Sequence, residues 1–456
     1  MEHLTPQVIA EITGGRYIGD EVHKNVRIAG AVRDNRDVKP GNLFVCIRGA
    51  RVDGHTFANS AFEAGAACCL AEQEIADAKG PYVLVESTLM ALRKIGGYHR
   101  RLFNIPVIGI TGSVGKTTTK EMAAAVLEQK FRVLKTGGNL NNDIGVPLTL
   151  LSLDESHEAA VIEMGISDFG DMNILTEMVR PNISILTKIG YAHLENLGDL
   201  NGVLRAKTEI YNFMSPDATA IVNGDDELLW THDPGIRRLT YGLDPRNDVR
   251  AENIRTEGTD AVTCDIVGSA GRFPIKIPAF GSHLVLAALP AVMVGQMLGM
   301  TDAEIAQGLL SYAPVGGRAN VTNTGFVTLI DDCYNANPSS VKEALQSLSA
   351  LTGRRVAILG DMLELGEKSD DLHREIGVFA GQSGIDLLIC CGEQAELIRE
   401  GFLFAAGDAE KRALHFPEKA ELIEMLPELI KKDDNVLIKA SNGMQFDEIS
   451  QFLKEK

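Results

Sequence analysis

No apolar run in this 456-residue chain is long enough to cross a membrane. The longest, such as "AALPAVMVGQMLGM", are interrupted by Pro, Gly and Gln and fall short of the roughly 20 residues a spanning helix needs. The N-terminus "MEHLTPQVIAEITGG" lacks a basic segment followed by an apolar core, so no secretory leader is expected. Cysteine is sparse, with no CxxC spacing. The seven include the neighbours Cys68-Cys69 and Cys390-Cys391, which points to reduced thiols in a cytoplasmic protein rather than disulfides or zinc sites. Basic residues are outnumbered, and the net charge of −18 disfavours a nucleic-acid partner, whose phosphate backbone calls for clustered Lys and Arg. A phosphorylated small molecule stays open, because helix N-termini and a few local cations hold one inside an acidic protein. Internal repeats and low-complexity linkers are also missing.

What is present reads as three domains, more than one core being expected at this length. Residues 1–104 predict a small mixed α/β domain, with β-rich "NLFVCIRG" and "PYVLVES" around the helically spaced "HTFANSAFEAGAACCLAEQE". Residues 105–313 alternate buried strands ("VIGITG", "AAVIEMG", "ISILTKIG", "ATAIVNGDD") with helices, the pattern of a doubly wound parallel sheet, before a hairpin-like stretch near 249–278. Residues 314–456 repeat the alternation in "VTLIDDCYN", "RRVAILGDM", "IDLLICCGE" and "NVLIKASNG", predicting a separate Rossmann-like domain.

"VIGITGSVGKTTTKEM" places a glycine-spaced loop between strand and helix. The first glycine of a standard phosphate loop would stand at position 110, where this chain has Ile110. Glycines stand at 109, 112 and 115 instead. The chemistry survives the shift: backbone N–H groups of Gly112, Ser113, Val114, Gly115 and Thr118 face phosphate, Lys116 neutralises charge, and Thr117 can hold Mg²⁺. Glu163 closes a strand, His193 lies past the end of another, and Lys207 in "RAKTEIYNFM" reads as the start of a helix. Each alone has a bland structural reading, but together they suggest a metal-phosphate cluster. In "KTGGNLNNDIGVPLTLL", Asn139, Asn141 and Asn142 are turn formers or orient a polar substrate. In the third domain, Asp332 suits a ribose hydroxyl, Tyr334 suits a base, and Arg318 after two glycines can reach a phosphate across a cleft.

These segments, with "IGYAHLENLG", "GGRANV", "DDCYNANPSS" and "LGDMLELGE", resemble the Mur ligases, the ATP-dependent amide-forming enzymes of peptidoglycan precursor synthesis, nearly end to end. The third-domain motifs are most like the D-alanyl-D-alanine-adding branch. The resemblance implies a UDP-sugar site in the first domain, with Asn35 and Arg36 contributing. It implies ATP in the second and an amine received by the third, where Asn335 and Asn337 contribute. It also implies Lys116 on the β/γ-phosphates, Thr117 and Glu163 on Mg²⁺, and His193 on a second Mg²⁺. Lys207 aligns with a lysine carbamylated in related ligases. The expected reaction joins D-Ala-D-Ala to UDP-MurNAc-tripeptide through an acyl phosphate, in a cytoplasmic monomer. The chain departs from the pattern at Asn35 (usually Ser), Lys188 (usually Asn), Ala287 (usually Asn) and Asn442 (usually Arg). The rivals are a Mur-type ligase with another amine or acyl substrate, including a folylpolyglutamate-synthase-like enzyme, and a nucleotide-dependent switch that ligates nothing.

Overall fold

The structure, a computed structural model, describes residues 3–49, 52–407 and 412–456. Three sheets follow one another along the chain. The first has five strands in the spatial order Arg16–Ile18, Tyr82–Leu84, Cys68–Ala71, Asn42–Val45, Gly30–Val32, antiparallel at the first pair and parallel thereafter. The stretch expected to be helical around residue 65 divides. Helix Ala58–Glu63 stops, Gly65 turns the chain at φ 102°, and Cys68–Ala71 runs on as a fully buried strand. A short apolar run suits a buried strand as well as a helix, and here the glycine decides. All seven cysteines are buried free thiols.

Helix Thr88–Arg100 ties this sheet to the next. Ser87 caps it by accepting from Met90 N, and Ala91, Leu92 and Ile95 face the first core. At its far end the buried Arg100 guanidinium donates to Val179 O (3.0 Å), at the end of helix Asp171–Val179 of the second domain, and to Phe103 O (2.8 Å) in the connecting segment.

The central sheet has nine strands. Val133–Lys135, Ala159–Glu163, Val107–Thr111, Ile183–Leu186, Thr219–Asn223 and Arg237–Gly242 lie side by side and parallel. Val249–Glu257, Ala261–Gly268 and Gly271–Ile277 add the expected hairpins. Val107–Thr111 is buried throughout and lies between Ala159–Glu163 and Ile183–Leu186. The chain therefore winds away from it in both directions, and the crevice beyond its carboxyl end is where open α/β sheets bind ligands. Helix Lys116–Leu127 packs beneath helix Leu284–Met297, whose apolar residues face inward around its circumference. Each fully buried Leu or Val there contributes about 1.5–3 kcal/mol.

The third sheet has six strands, Asn320–Asn323, Thr328–Asp331, Asn435–Lys439, Arg355–Gly360, Leu387–Cys391 and Ala413–Phe416, parallel except at the first pair. Helix Pro338–Ser349 starts at the capping box of Asn337 and Ser340 and returns toward the central domain. No helix among the described residues is long and apolar enough to cross a membrane.

One expected helix start is corrected. Lys207 lies in the last turn of helix Leu200–Thr208, not at the start of a helix. The true cap is Asp199, whose carboxylate accepts from Gly202 N at 2.7 Å.

Candidate active site

A cavity of about 430 Å³ opens beyond the carboxyl end of Val107–Thr111 and is closed on the far side by the third domain. The loop beneath it has its shape for steric reasons. Gly112 has φ 148°, and a Cβ there would lie 1.9 Å from Thr187 Oγ1. Gly115, left-handed at φ 83°, forms the N-cap of helix Lys116–Leu127. The first N–H groups of that helix have no partner within it, and the helix dipole points its positive end the same way. Ser113 N donates to Lys188 O (2.8 Å), Ser113 Oγ exchanges hydrogen bonds with Gly190 (2.9 Å each), and Thr187 Oγ1 donates to Val114 O (2.5 Å). These bonds hold the loop open before any ligand arrives.

Ser113, Val114, Gly115, Lys116, Thr117, Thr118, Asn141, Asn142, Glu163 and His193 line the cavity from the central domain. Arg318, Asp332, Tyr334, Asn335 and Asn337 line it from the third. Gly112 shapes the loop from behind. Asn139 is exposed and outside the cavity. Asn142 acts locally, its Oδ1 accepting from Ile144 N and Gly145 N at the start of helix Gly145–Leu150. Asn35 and Arg36 lie on a short 3₁₀ turn of the first domain, Asn35 donating to Ser60 Oγ and Arg36 paired with Asp34. Lys207 is 1% exposed and does not line the cavity.

Glu163 is the focus of the cluster. Its Oε1 accepts from Thr117 Oγ1 (3.1 Å) and Asn141 Nδ2 (2.9 Å). Its Oε2 is buried with no hydrogen-bond partner, the nearest cation being Lys120 Nζ at 4.0 Å. That separation is Coulombic contact without a hydrogen bond, so one carboxylate oxygen is left with unused acceptor capacity. Lys120, also 1% exposed, donates to Thr136 O (2.8 Å) and pairs with Glu121 (2.7 Å). Thr136 Oγ1 in turn accepts from Glu163 N (2.9 Å).

Four cations line the cavity, and they divide cleanly. Lys439 Nζ is bonded to Asp332 Oδ2 at 2.6 Å and Lys188 Nζ to Glu343 Oε1 at 3.2 Å. Among the described residues, Lys116 and Arg318 have no carboxylate within ion-pair distance. Lys116 Nζ donates to Gly112 O (2.7 Å), and Arg318 stacks on the Tyr334 ring at 3.8 Å. Burial lowers the Lys116 pKa, Glu163 opposing and Arg318 adding to the shift. An anion entering here would meet two uncompensated cations and a helix N-terminus. Asp332, expected to be open to a ribose, has both carboxylate oxygens engaged, Oδ1 accepting from Ala319 N. Tyr334 already has a guanidinium on one face.

His193, at φ 53°, is held by Glu364 of the third domain, Nδ1 to Oε2 at 2.6 Å. Burial lowers its pKa, Glu364 opposing and Lys207 and Lys116 adding. The Lys207 amine is pushed well below the ordinary lysine value, first by burial and then by Lys116. Lys439, Lys120, Glu343, Asn223 and His283 escaped the sequence reading as site residues. Lys439 is visible as a cation ending a fully buried strand, after the apolar run Val436, Leu437 and Ile438. The others carry no local signal.

Three family models match in series: the Mur ligase family catalytic domain over 27–99, the Mur ligase middle domain over 110–295, and the Mur ligase glutamate ligase domain over 317–442. The chain belongs to the Mur ligase family. It is thus an ATP-dependent ligase that forms amide bonds. It is 36% identical over 457 residues to a UDP-N-acetylmuramoyl-tripeptide–D-alanyl-D-alanine ligase of Bacillus subtilis, covering 99% of this chain and 98% of that one. A crystal structure of MurF from Acinetobacter baumannii superposes with TM-score 0.90 at 30% identity, covering 99% of both chains. The MurF ligase of Thermotoga maritima in complex with ADP superposes with TM-score 0.83 at 29% identity, covering 96% of this chain and 98% of that one. These Mur ligases share the three-domain architecture seen here.

Proposed function

We propose that this Mur ligase joins D-alanyl-D-alanine to UDP-N-acetylmuramoyl-tripeptide, using ATP, in the cytoplasmic assembly of the peptidoglycan precursor. The observation that carries the reading is the pair of uncompensated cations, Lys116 and Arg318, facing one another across a cleft whose floor is a phosphate loop. Residues 1–104 would hold the UDP-sugar, with Asn35 and Arg36 in contact, 105–313 the ATP, and 314–456 the dipeptide near Asn335 and Asn337. The protein would work as a monomer.

In the first step a carboxylate oxygen of the tripeptide attacks the γ-phosphorus of ATP. The bond from that phosphorus to the bridging oxygen breaks, and ADP leaves with the electron pair. The attack brings two anions together, and Lys116 and Arg318 offset their repulsion as charge spreads over the transferred group. In the second step the dipeptide amine attacks the acyl carbon. A tetrahedral centre forms, phosphate departs, and the amine nitrogen loses its proton. The acyl phosphate is lost to water unless the cleft is shut, and the third domain shuts it.

The site fits a magnesium ion. Glu163 Oε2 is buried without a hydrogen-bond partner, and Thr117 Oγ1 lies beside the same carboxylate. No group of three or more His, Cys, Asp or Glu side chains able to hold a metal occurs among the described residues. A single carboxylate with a hydroxyl suits Mg²⁺, which keeps waters and takes phosphate oxygens for its remaining ligands. When bound, the ion supplies positive charge to the phosphates. His193 would contribute to a second ion, and Lys207 only as a carbamate, because an ammonium repels a cation. A lowered amine pKa favours the neutral nitrogen that adds to CO₂.

Phosphate release with ATP and Mg²⁺ tests the assignment, with UDP-MurNAc-tripeptide and D-Ala-D-Ala added separately and together. Release dependent on both, with the mass of UDP-MurNAc-pentapeptide, is expected. Release that neither partner stimulates would sink it and favour the switch. The match of 27–99 to a Mur model weighs against the folate-type rival.

A further inference from the structure

Two ion pairs join the central and third domains among the described residues, His193–Glu364 and Lys188–Glu343. The first uses a side chain that the proposed chemistry needs for another purpose. The second uses none. Lys188 sits on the loop after strand Ile183–Leu186, and that loop is the one bonded to Ser113 and Val114. Glu343 sits on helix Pro338–Ser349, and the first turn of that helix rests on the same loop. A Cβ added to Gly190 would lie 3.2 Å from Ser339 Oγ. Whatever fixes the Lys188 side chain therefore fixes the third domain against the phosphate loop, through a short and heavily bonded path. Both side chains line the cavity, and they are 38% and 21% exposed. The other ionisable groups nearby are His283, Asp332 and Lys439, and the last two are bonded to each other.

We infer that Lys188 and Glu343 form a strap across the cleft that positions the third domain for delivery of the amine. Both are positioning residues, acting through the arrangement of the two domains and not on the reacting atoms. The inference rests on the ligase reading for its kinetic consequence, but its structural consequence stands alone. A partly exposed pair contributes modestly, so the effect on closure is a few-fold, concentrated in the step where the domains must meet.

The test uses the full-length protein with K188M, E343Q, K188R and the charge swap K188E/E343K. Small-angle scattering of the substrate-free proteins reads the domain arrangement. Steady-state kinetics reads KM for D-Ala-D-Ala against kcat and against KM for ATP. K188M and E343Q are expected to enlarge the radius of gyration and raise KM for the dipeptide about five-fold, with KM for ATP unchanged. K188R and the swap are expected to restore both. Wild-type scattering and dipeptide KM in both single variants would overturn the strap. So would a swap no better than the singles, which would mean that Lys188 acts alone on a phosphate. If the wild-type protein made no pentapeptide product, the ligase reading would fall, while the scattering comparison would still decide the strap.

Discussion

Lys207 offers the sharpest physical test, because it costs stability in a way that pH controls. It is 1% exposed, has no carboxylate within ion-pair distance among the described residues, and its pKa is lowered well below 10.5 by burial and by Lys116. Between the lowered folded value and 10.5 the unfolded chain holds a proton on this amine that the folded chain has given up. Unfolding therefore takes up protons, and native stability rises with pH by up to about 1.4 kcal/mol per unit, until the unfolded chain also loses the proton near 10.5. Keeping an ordinary lysine neutral costs at most about 5 kcal/mol at pH 7 and about 2 kcal/mol at pH 9. Methionine fills a similar volume and has no such cost, while the imperfect fit takes back about 1 kcal/mol. Lys207→Met is thus expected to be more stable than wild type by about 1–4 kcal/mol at pH 7, with the gap closing by pH 9.

The assay is urea unfolding followed by tryptophan fluorescence at pH 7, 8 and 9, in CO₂-free buffer so that no carbamate forms. Trp230 is the single tryptophan and lies on helix Glu227–Thr231 of the central domain, with Arg246 4.1 Å from its ring centre. The signal therefore belongs to the domain that holds Lys207. Ligation by the variant should be lost even as stability rises. A variant less stable than wild type at every pH, or a gap that does not change with pH, would refute the account of Lys207 as an uncompensated buried amine.

Gly112→Ala should abolish binding of a fluorescent ATP analogue while circular dichroism stays native, since the added methyl collides with Thr187 Oγ1 at 1.9 Å. Glu163→Gln keeps the shape but removes the anion. Mg²⁺-dependent strengthening of ADP binding, read by calorimetry, should fall about 10- to 100-fold, in line with the roughly 1.5–3 kcal/mol of a charge-assisted contact, with metal-free binding little changed. Lys120→Met strands the Thr136 carbonyl and leaves Glu121 without one of its two lysines. A loss of about 1–3 kcal/mol is expected from the stranded buried carbonyl, Glu121 keeping Lys135 as its partner, visible as a lowered thermal midpoint.

Much of this was legible in the sequence because the signals are local. Strand, glycine turn and helix N-terminus fall within sixteen residues at 107–122, and each dictates the next. Glu163 was readable for a related reason, as a carboxylate ending an apolar strand that must be parallel to its neighbours. The misreadings are local too. Lys207 was placed at a helix start because the apolar spacing around it fits one, yet Asp199 had already capped the helix eight residues earlier. Cys68–Ala71 reads as helix in the sequence because four buried apolar residues carry no period of their own.

The parts that were not legible share a different cause. Asp332 was assigned to a ribose from its position at a strand end, but Lys439 stands 107 residues away and occupies it. Lys188 stands out in the sequence only as a departure from the family pattern, and Glu343, 155 residues on, draws it across the cleft. A charged residue advertises that it needs a partner and not which partner it finds. That choice is made by topology, which sets strand Asn435–Lys439 beside Thr328–Asp331 and brings helix Pro338–Ser349 over the loop that carries Lys188. Net charge does not reveal the local site for the same reason: a chain at −18 still builds a cavity lined by four Lys and Arg side chains. The fold then compensates Lys188 and Lys439 and leaves Lys116 and Arg318 bare. The two left bare are the two that the sequence assigned to phosphate, and it is this selective neutralisation, rather than cationic residues as such, that makes the cleft a site for an anion.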